Sequence, residues 1–256
     1  MKILIIGGMG VVGGAITTAC PKHGFEVTIV SRHKLTNDWR IPGVCGVSGD
    51  WYDSKFARNV VKEGFDVIDT LVYNVKQLKR SLKIADNHCK QYIYISTDSV
   101  YGHPAKNLSE NTPIDMNKIH WNYGINKRKC ELYLLENGRK YSFIWTGIRP
   151  TITFGDTRIP IGYASKRNTN TLAQRILEGK PIVRFDNPST RHAICHSSTF
   201  GEAVVGVFLN EKTTGQFYHI ADDYAYTYDE IIVAIEKVLG KKSICVNVPT
   251  EISQAI

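Results

Sequence analysis

Lys2-Ile3-Leu4-Ile5-Ile6-Gly7-Gly8-Met9-Gly10-Val11-Val12-Gly13 is the stretch that decides the fold. Its first five residues are almost wholly apolar and β-branched, the signature of a strand buried on both faces. A helical pattern follows from about Gly10 and stops at Pro21, where a helix loses a donor. Between strand and helix the glycines at 7, 10 and 13 spell G-x-x-G-x-x-G. The first permits a tight turn, the second lets backbone approach an anion, and the third lets the helix pack on the strand. The helix N–H groups and dipole would then face a pyrophosphate. Gly7, Gly10 and Gly13, with Met9, Val11 and Val12 between them, are the predicted dinucleotide cradle. The alternative is a purely structural strand–helix turn.

Outward from this unit, short β-branched runs alternate with helical patterns, which predicts βαβ units and a parallel sheet. Strands are expected at Glu26–Val30, Val67–Val72, Tyr92–Ser96 and Phe143–Arg149, with a third strand ending near Asp50. Helices are expected after an N-cap at Asp53, over Gln77–His88 and over Asn122–Glu136. After Pro150 the character changes. Thr151–Tyr163 reads as irregular, Thr171–Leu177 and Phe200–Leu209 as helices, and Pro181–Arg184 as a short strand. Thr227 and Glu230 form a capping box for a helix over Tyr228–Leu239, and Gly240 ends it. The fold class expected is α/β, a Rossmann-type doubly wound parallel sheet with a small C-terminal substrate-binding portion. Its parts are 1–150, the nucleotide-binding domain, and 151–256, the substrate-covering portion, with the strand at 216–220 returning to the main sheet.

Composition is ordinary for a globular chain: 43% hydrophobic and 22% charged over 256 residues. No apolar run is long enough to cross a bilayer, and with a strand expected from Lys2 no leader is expected. Six scattered cysteines without a C-x-x-C pair read as reduced thiols rather than a zinc site, so a cytoplasmic protein without metal is expected. The formal charge of +8 admits attraction to polyanions. The basic residues are spread through Lys76–Lys90, Lys127–Lys140 and Lys241–Lys242, which favours an ordinary solvated surface.

Cofactor choice is read at the end of the second strand. An acid there holds the ribose 2′-OH of NAD, but this chain has Ser31-Arg32-His33-Lys34. An arginine can pair with a 2′-phosphate, so NADP(H) is the expected preference and NAD(H) the second choice. Asp50 either accepts from the adenine amine or belongs to the start of the next helix.

Tyr123 and Lys127 stand four apart on one helix and so share a face. A nearby ammonium favours phenolate, which prepares the tyrosine to move a proton near neutral pH. Ser96-Thr97-Asp98-Ser99-Val100-Tyr101-Gly102 gathers hydroxyls and a carboxylate at a parallel strand's C-terminal end, the ligand side of such sheets. The same run would also serve as a plain polar turn.

Together these motifs resemble the extended short-chain dehydrogenases/reductases, the NAD-dependent epimerase/dehydratase family, which act mostly on nucleotide-diphosphate sugars. Ser109-Glu110-Asn111-Thr112-Pro113 is similar to the acidic-Pro loop before that family's catalytic tyrosine, and Ile148-Arg149-Pro150 with Phe154-Gly155 to a further segment of the family pattern. The resemblance implies Tyr123 as acid/base, Lys127 as its tuner and ribose ligand, and Thr97 as hydroxyl partner. It implies Asp98, Ser99 and Arg191 as groups near the substrate, although Arg191 also reads as a surface loop residue. Ser99 stands where dehydratase-type members carry Glu, so redox chemistry without loss of water is expected. Ile152 replaces a common Asn, Ser198 and Thr199 replace a common acidic pair, and the stop at Ile256 implies less substrate cover.

The expected function is therefore an NAD(P)-dependent epimerase or keto-sugar reductase with a nucleotide-sugar substrate. The family likeness also implies a homodimer through Asn122–Glu136 and Gln77–His88. A second reading is an atypical RNA-binding member, since Phe65-Asp66-Val67-Ile68-Asp69-Thr70 resembles that branch. Against a nucleic-acid partner, the interval lacks paired aromatic and basic positions for an RNA platform. A third reading is a cofactor-sensing regulator without turnover, which steady-state kinetics would separate.

Overall fold

The computed structural model describes residues 1–33, 41–69, 72–102, 107–161, 171–185 and 190–248. Lys34, named above beside Arg32, lies outside them. Two compact units emerge: Met1–Thr151 with Ser197–Ile220, and Ile152–His196 with Ala221–Ile256. No helix among the described residues is long and apolar enough to cross a membrane.

The first unit is built on a parallel sheet. Its strands are β1 (Lys2–Ile6), β2 (Glu26–Ser31), β3 (Val44–Ser48), β4 (Asp66–Asp69), β5 (Gln91–Ile95), β6 (Ile144–Pro150) and, numbered tenth in the chain, β10 (Phe217–Ile220). They lie in the order β10-β6-β5-β4-β1-β2-β3. The order reverses beside β1, so the crevice for a ligand falls outside the C-terminal ends of β1 and β4. This is the doubly wound sheet expected, and β10 does join it, pairing parallel with β6 from Phe217↔Gly147 to Ile220↔Pro150.

The helices of this unit are α1 (Val11–Ala19), α2 (Ser54–Val61), α3 (Val75–Ala85), α4 (Asn122–Asn137) and α6 (Ser197–Val205). Leu78 and Leu82 of α3, Ala57 and Val61 of α2, and Leu4 and Ile6 of β1 share one apolar core with Trp51, Tyr92 and Trp145. Ser81 is the polar exception inside it. Its hydroxyl accepts from Trp51 Nε1 at 3.1 Å and from Tyr92 OH at 3.0 Å, so both of these buried donors have an acceptor.

The second unit holds β7 (Ile152–Phe154), β8 (Ile182–Phe185), β9 (Arg191–His196), β11 (Ala225–Thr227), β12 (Cys245–Val248), α5 (Thr171–Leu177) and α7 (Tyr228–Leu239). Its strands form a sheet ordered β11-β9-β7 and a separate β12–β8 pair. The capping box at Thr227 and Glu230 is present, and Gly240 closes α7 in the left-handed conformation at φ 64°.

Three expectations need correction. The helix expected at Phe200–Leu209 is Ser197–Val205, since Ser197-Ser198-Thr199 form its first turn rather than a loop. The segment 151–163 is not wholly irregular, because Ile152–Phe154 pairs with Ile194–His196, some forty residues on. The boundary at 150/151 does not divide the chain once. Ser197–Ile220 returns to the first unit, where Phe200 and Val204 of α6 are fully buried and Gly201 lies against the Ala15 backbone of α1.

Candidate functional site

The glycine loop forms the first wall. Gly7 sits at φ 81°, a conformation that side chains resist. A Cβ on Gly13 would strike the Gly7 carbonyl oxygen, so only glycine lets α1 come this close to the strand. Thr17 pins the loop, its hydroxyl donating to Gly8 O at 3.1 Å and Gly13 O at 2.8 Å. Gly10 is the N-cap of α1 and brings no capping side chain. The space where its Cβ would stand is open. The helix entrance therefore presents N–H donors to an approaching anion, which fits a dinucleotide pyrophosphate. Met9 is exposed there, and Val11 and Val12 are half-buried.

At the end of β2, Ser31 is buried and its hydroxyl accepts from His33 N at 3.2 Å. Arg32 is exposed, with no ion pair among the described residues. The Asp50 carboxylate accepts from Tyr52 N at 2.9 Å, whereas Asp53 is the true cap of α2, accepting from Lys55 and Phe56.

The second wall is the turn after β5. Thr97 is buried in extended backbone, and its hydroxyl accepts from Ser99 N at 3.2 Å. The same oxygen lies 3.3 Å from Asp98 Oδ1 and 3.2 Å from Ser99 Oγ. The first turn of α4 presses on this segment, because a Cβ on Gly124 would stand 2.7 Å from Ser99 O. The glycine inside Tyr-Gly-Ile-Asn-Lys thus lets the first turn of α4 close on Ser99.

Lys127 is only 2% exposed. Its Nζ donates to Ile95 O, the last carbonyl of β5, at 2.7 Å. The ammonium also faces three rings, 5.1 Å from the centroid of Tyr94 and 5.7 Å from those of Tyr73 and Tyr123. Cation–π attraction of this kind strengthens when water is excluded. Burial pushes the Tyr94 phenol well up, with Cys130 and Glu131 adding to it, so Tyr94 stays neutral beneath the site.

Two groups of residues around the site escaped the sequence reading. Tyr73 and Trp121 flank Tyr123, with ring centroids 6.4 and 5.0 Å from it. They are 48% and 63% exposed, an aromatic wall open to solvent. A lone tryptophan in the polar run before Tyr123 was the available signal.

The other group is a buried ion cluster behind the site. Glu131 has no exposure and Arg149 only 3%. Arg149 grips the carboxylate with Nε at 2.9 Å and Nη2 at 3.0 Å. Arg128 adds Nη1 at 2.8 Å and Ser96 its hydroxyl at 2.7 Å. Burial works against the Arg149 charge, but the fork to Glu131 more than offsets this and raises its pKa. Arg149 Nη1 also donates to Tyr101 OH at 2.7 Å, and Tyr101 OH donates to Ser109 O at 3.0 Å. Glu110 next to it accepts from His219 N at 2.9 Å, so the acidic-Pro loop is tied to β10.

Arg191 lies on β9 in the second unit rather than in a loop. Its Nη1 donates to Tyr224 OH at 2.8 Å and Ala225 O at 2.7 Å, and stands 3.4 Å from Glu230. These contacts brace the start of α7.

A doubly wound parallel sheet whose first strand runs through a glycine turn into its first helix defines an α/β protein of the Rossmann type. The chain belongs to the NAD dependent epimerase/dehydratase family, which matches residues 3–221. It is similar in fold to the UDP-glucose 4-epimerase of Thermus thermophilus, solved with NAD: 17% identical, covering 97% of this chain and 86% of that one, TM-score 0.80. The dTDP-glucose 4,6-dehydratase of Bacillus anthracis, also solved with NAD, is 19% identical over 97% of this chain and 84% of that one, TM-score 0.81. A curated relative is the chloroplast stem-loop binding protein of 41 kDa b of Arabidopsis thaliana, 25% identical over 253 residues. The match covers 93% of this chain and 63% of that protein's length.

Proposed function

We propose that this protein is an NAD(P)-dependent oxidoreductase acting on a nucleotide-diphosphate sugar, as an epimerase or keto-sugar reductase. The observation that supports the reading is the packing of α4, where Gly124 lies against Ser99 and the Lys127 ammonium stands 5.7 Å from the centroid of the Tyr123 ring. A nicotinamide held along Gly7–Gly13 and Ser31–Arg32, with Asp50 near the adenine, would take up or return the hydride at the sugar carbon. Tyr123 moves the hydroxyl proton. The Thr97 hydroxyl, oriented by Ser99 N, holds the same oxygen, and Asp98 and Ser99 border it. Lys127 acts on the phenol through its charge, and its burial favours that role over direct contact with a ribose. Arg191 is a weaker substrate candidate, since its Nη1 already has partners. Among the described residues none of the six cysteines is in a disulfide, which supports a reducing compartment such as the cytoplasm.

Purified protein, given cofactor and a panel of nucleotide-sugars, tests this. Tyr123→Phe should lower turnover by about a hundredfold or more and leave cofactor affinity intact. Near-normal turnover would remove Tyr123 from its role. The same titrations read cofactor choice. NADP(H) should bind more tightly than NAD(H), and Arg32→Ala should narrow a gap of about 1.5–3 kcal/mol. Equal affinities would refute the assignment of Arg32.

One observation favours a second reading. The 25% identical relative is named for stem-loop binding, and RNA binding on a retained nucleotide fold is the alternative it supports. Duplex and hairpin RNA binding without turnover on any nucleotide-sugar would select it.

A further inference from the structure

Seven basic residues that look scattered in the sequence converge on two neighbouring helices. Lys55, Arg58 and Lys62 project from α2 and its C-cap, and Lys76, Lys79, Arg80 and Lys83 from α3. All seven are exposed, and neither helix carries an acid. The helices touch where Arg80 Nη2 donates to Ser54 Oγ at 2.8 Å. None of the seven is in an ion pair among the described residues. The acids that border the face are already engaged. Asp53 caps α2 and offsets part of the Arg80 and Lys55 charge, Glu63 lies 3.5 Å from Lys2, and Asp86 accepts from Ser142 N and Oγ. A shallow depression runs along α2 between Lys55, Arg58 and Lys62.

We infer that the α2–α3 face binds the phosphate backbone of an RNA double helix; the choice of RNA rests on the second reading above, whereas the choice of surface rests on the charges. On α3, Lys76, Lys79/Arg80 and Lys83 recur once per turn, about 5 Å apart along the axis. The neighbouring row on α2 lies about 8–10 Å away. Two parallel rows of exposed cations match a ribbon of regularly spaced phosphates.

The face lacks what other partners need. A membrane-surface helix inserts an apolar stripe, but the apolar residues of α2 and α3 are consumed by the core they share with β1. A protein partner needs a buried aromatic or aliphatic anchor, and a single strand needs stacking rings. No large hydrophobic residue of either helix is exposed. The homodimer that the family likeness implies through Gln77–His88 would place a second copy on α3, and a copy meeting this face about a twofold axis would set the same cations against each other.

The test uses the full chain and a blunt RNA duplex of about twenty base pairs, with binding followed by fluorescence anisotropy from 50 to 200 mM salt. Engaging about six phosphates across the two rows should weaken wild-type binding about a thousandfold over that range. The variant Lys76→Gln/Lys79→Gln/Arg80→Gln/Lys83→Gln keeps helix-forming side chains and removes four charges. It should lose at least about fiftyfold in affinity at 50 mM salt and flatten the salt slope by about four, with an unchanged thermal midpoint confirming its fold. RNA binding equal to wild type in this variant would overturn the surface and leave the RNA reading standing. No duplex binding by the wild type would overturn both. Tighter binding to DNA duplex of the same sequence, binding to phosphatidylserine vesicles in place of RNA, or self-association altered by the four substitutions would each overturn the proposal.

Discussion

Replacing Glu131 by Gln keeps the shape of the side chain and removes its charge. In the native protein each carboxylate oxygen accepts two hydrogen bonds, from Ser96 and Arg149 Nε on one and from Arg128 and Arg149 Nη2 on the other. An amide accepts at one atom only and turns two donors toward the guanidiniums. Arg149, 3% exposed, would be left with a buried charge and no carboxylate. Breaking a buried pair in this way costs about 3–5 kcal/mol, a large part of the roughly 5–15 kcal/mol that holds a typical protein folded. For a chain of this length it corresponds to a fall in Tm of about 6–20 °C. Urea denaturation followed by tryptophan fluorescence measures it, since Trp51 and Trp145 are both buried in the first unit. The double variant Glu131→Gln/Arg149→Met removes the stranded charge as well. It should be more stable than Glu131→Gln alone by at least about 1 kcal/mol, though below wild type because Tyr101 loses its donor. A loss under about 1 kcal/mol in the single variant, or a double variant no more stable than the single, would refute the reasoning.

Two further outcomes follow from the same region. His219 packs on Tyr101 at 5.3 Å, its Nδ1 is 3.7 Å from Glu110, and its buried Nε2 has no hydrogen-bond partner. Burial, helped by Arg149 and opposed by Glu110 and Glu131, holds its pKa below the ordinary 6.5. The unfolded chain therefore takes up the proton first. Stability should be fully present above that value and fall as pH drops through it toward the folded pKa. Thermal melts from pH 7.5 to 5.5 check this, and His219→Gln showing the same slope in that window would remove His219 as the cause. Trp121→Ala should raise KM for the nucleotide-sugar about fivefold, as expected for about 1 kcal/mol of ring stacking, with kcat little changed. An unchanged KM would mean that the aromatic wall does not touch substrate.

What was legible in the sequence was what is local. The capping box of α7 lies within four residues, and β1, the glycine loop and α1 follow each other directly, so pattern alone places them. Tyr123, Lys127 and Thr97 are proposed on the same local ground, their spacing and position at a strand end. The sheet of β7, β9 and β11 was missed because its pairings join residues far apart. Ile152–Phe154, a short run close behind a proline, cannot announce a strand by itself. The ion cluster escaped for a similar reason. Glu131 and Arg149 look like ordinary surface charges until α4 and β6 are brought together. The basic face is the same lesson on the outside of the molecule: Lys55–Lys62 and Lys76–Lys83 are separated by β4 in sequence and adjacent in space.

The packing of α4 joins the fold to the site. Tyr123, Lys127 and Glu131 recur at intervals of four and so form one stripe along the helix. Each of its turns meets a different piece of the β5 end. Gly124, next to Tyr123, lies against Ser99 O, Lys127 donates to Ile95 O, and Glu131 accepts from Ser96. The buried side of this helix is thus Gly, Lys, Cys, Glu and Leu rather than an apolar stripe. Burying an ammonium and a carboxylate costs several kcal/mol each before their partners offset it, so greasy packing at these positions would dock the helix at least as well. What the charged stripe adds is position. An aliphatic contact tolerates sliding, whereas Lys127 reaching one carbonyl and Glu131 seated in a four-donor cradle fix the rotation and height of α4 on the sheet. Tyr123, one turn from Lys127, inherits that placement. Changes that raise stability by making the stripe apolar should therefore loosen the placement of Tyr123 even when they leave Tyr123 itself untouched.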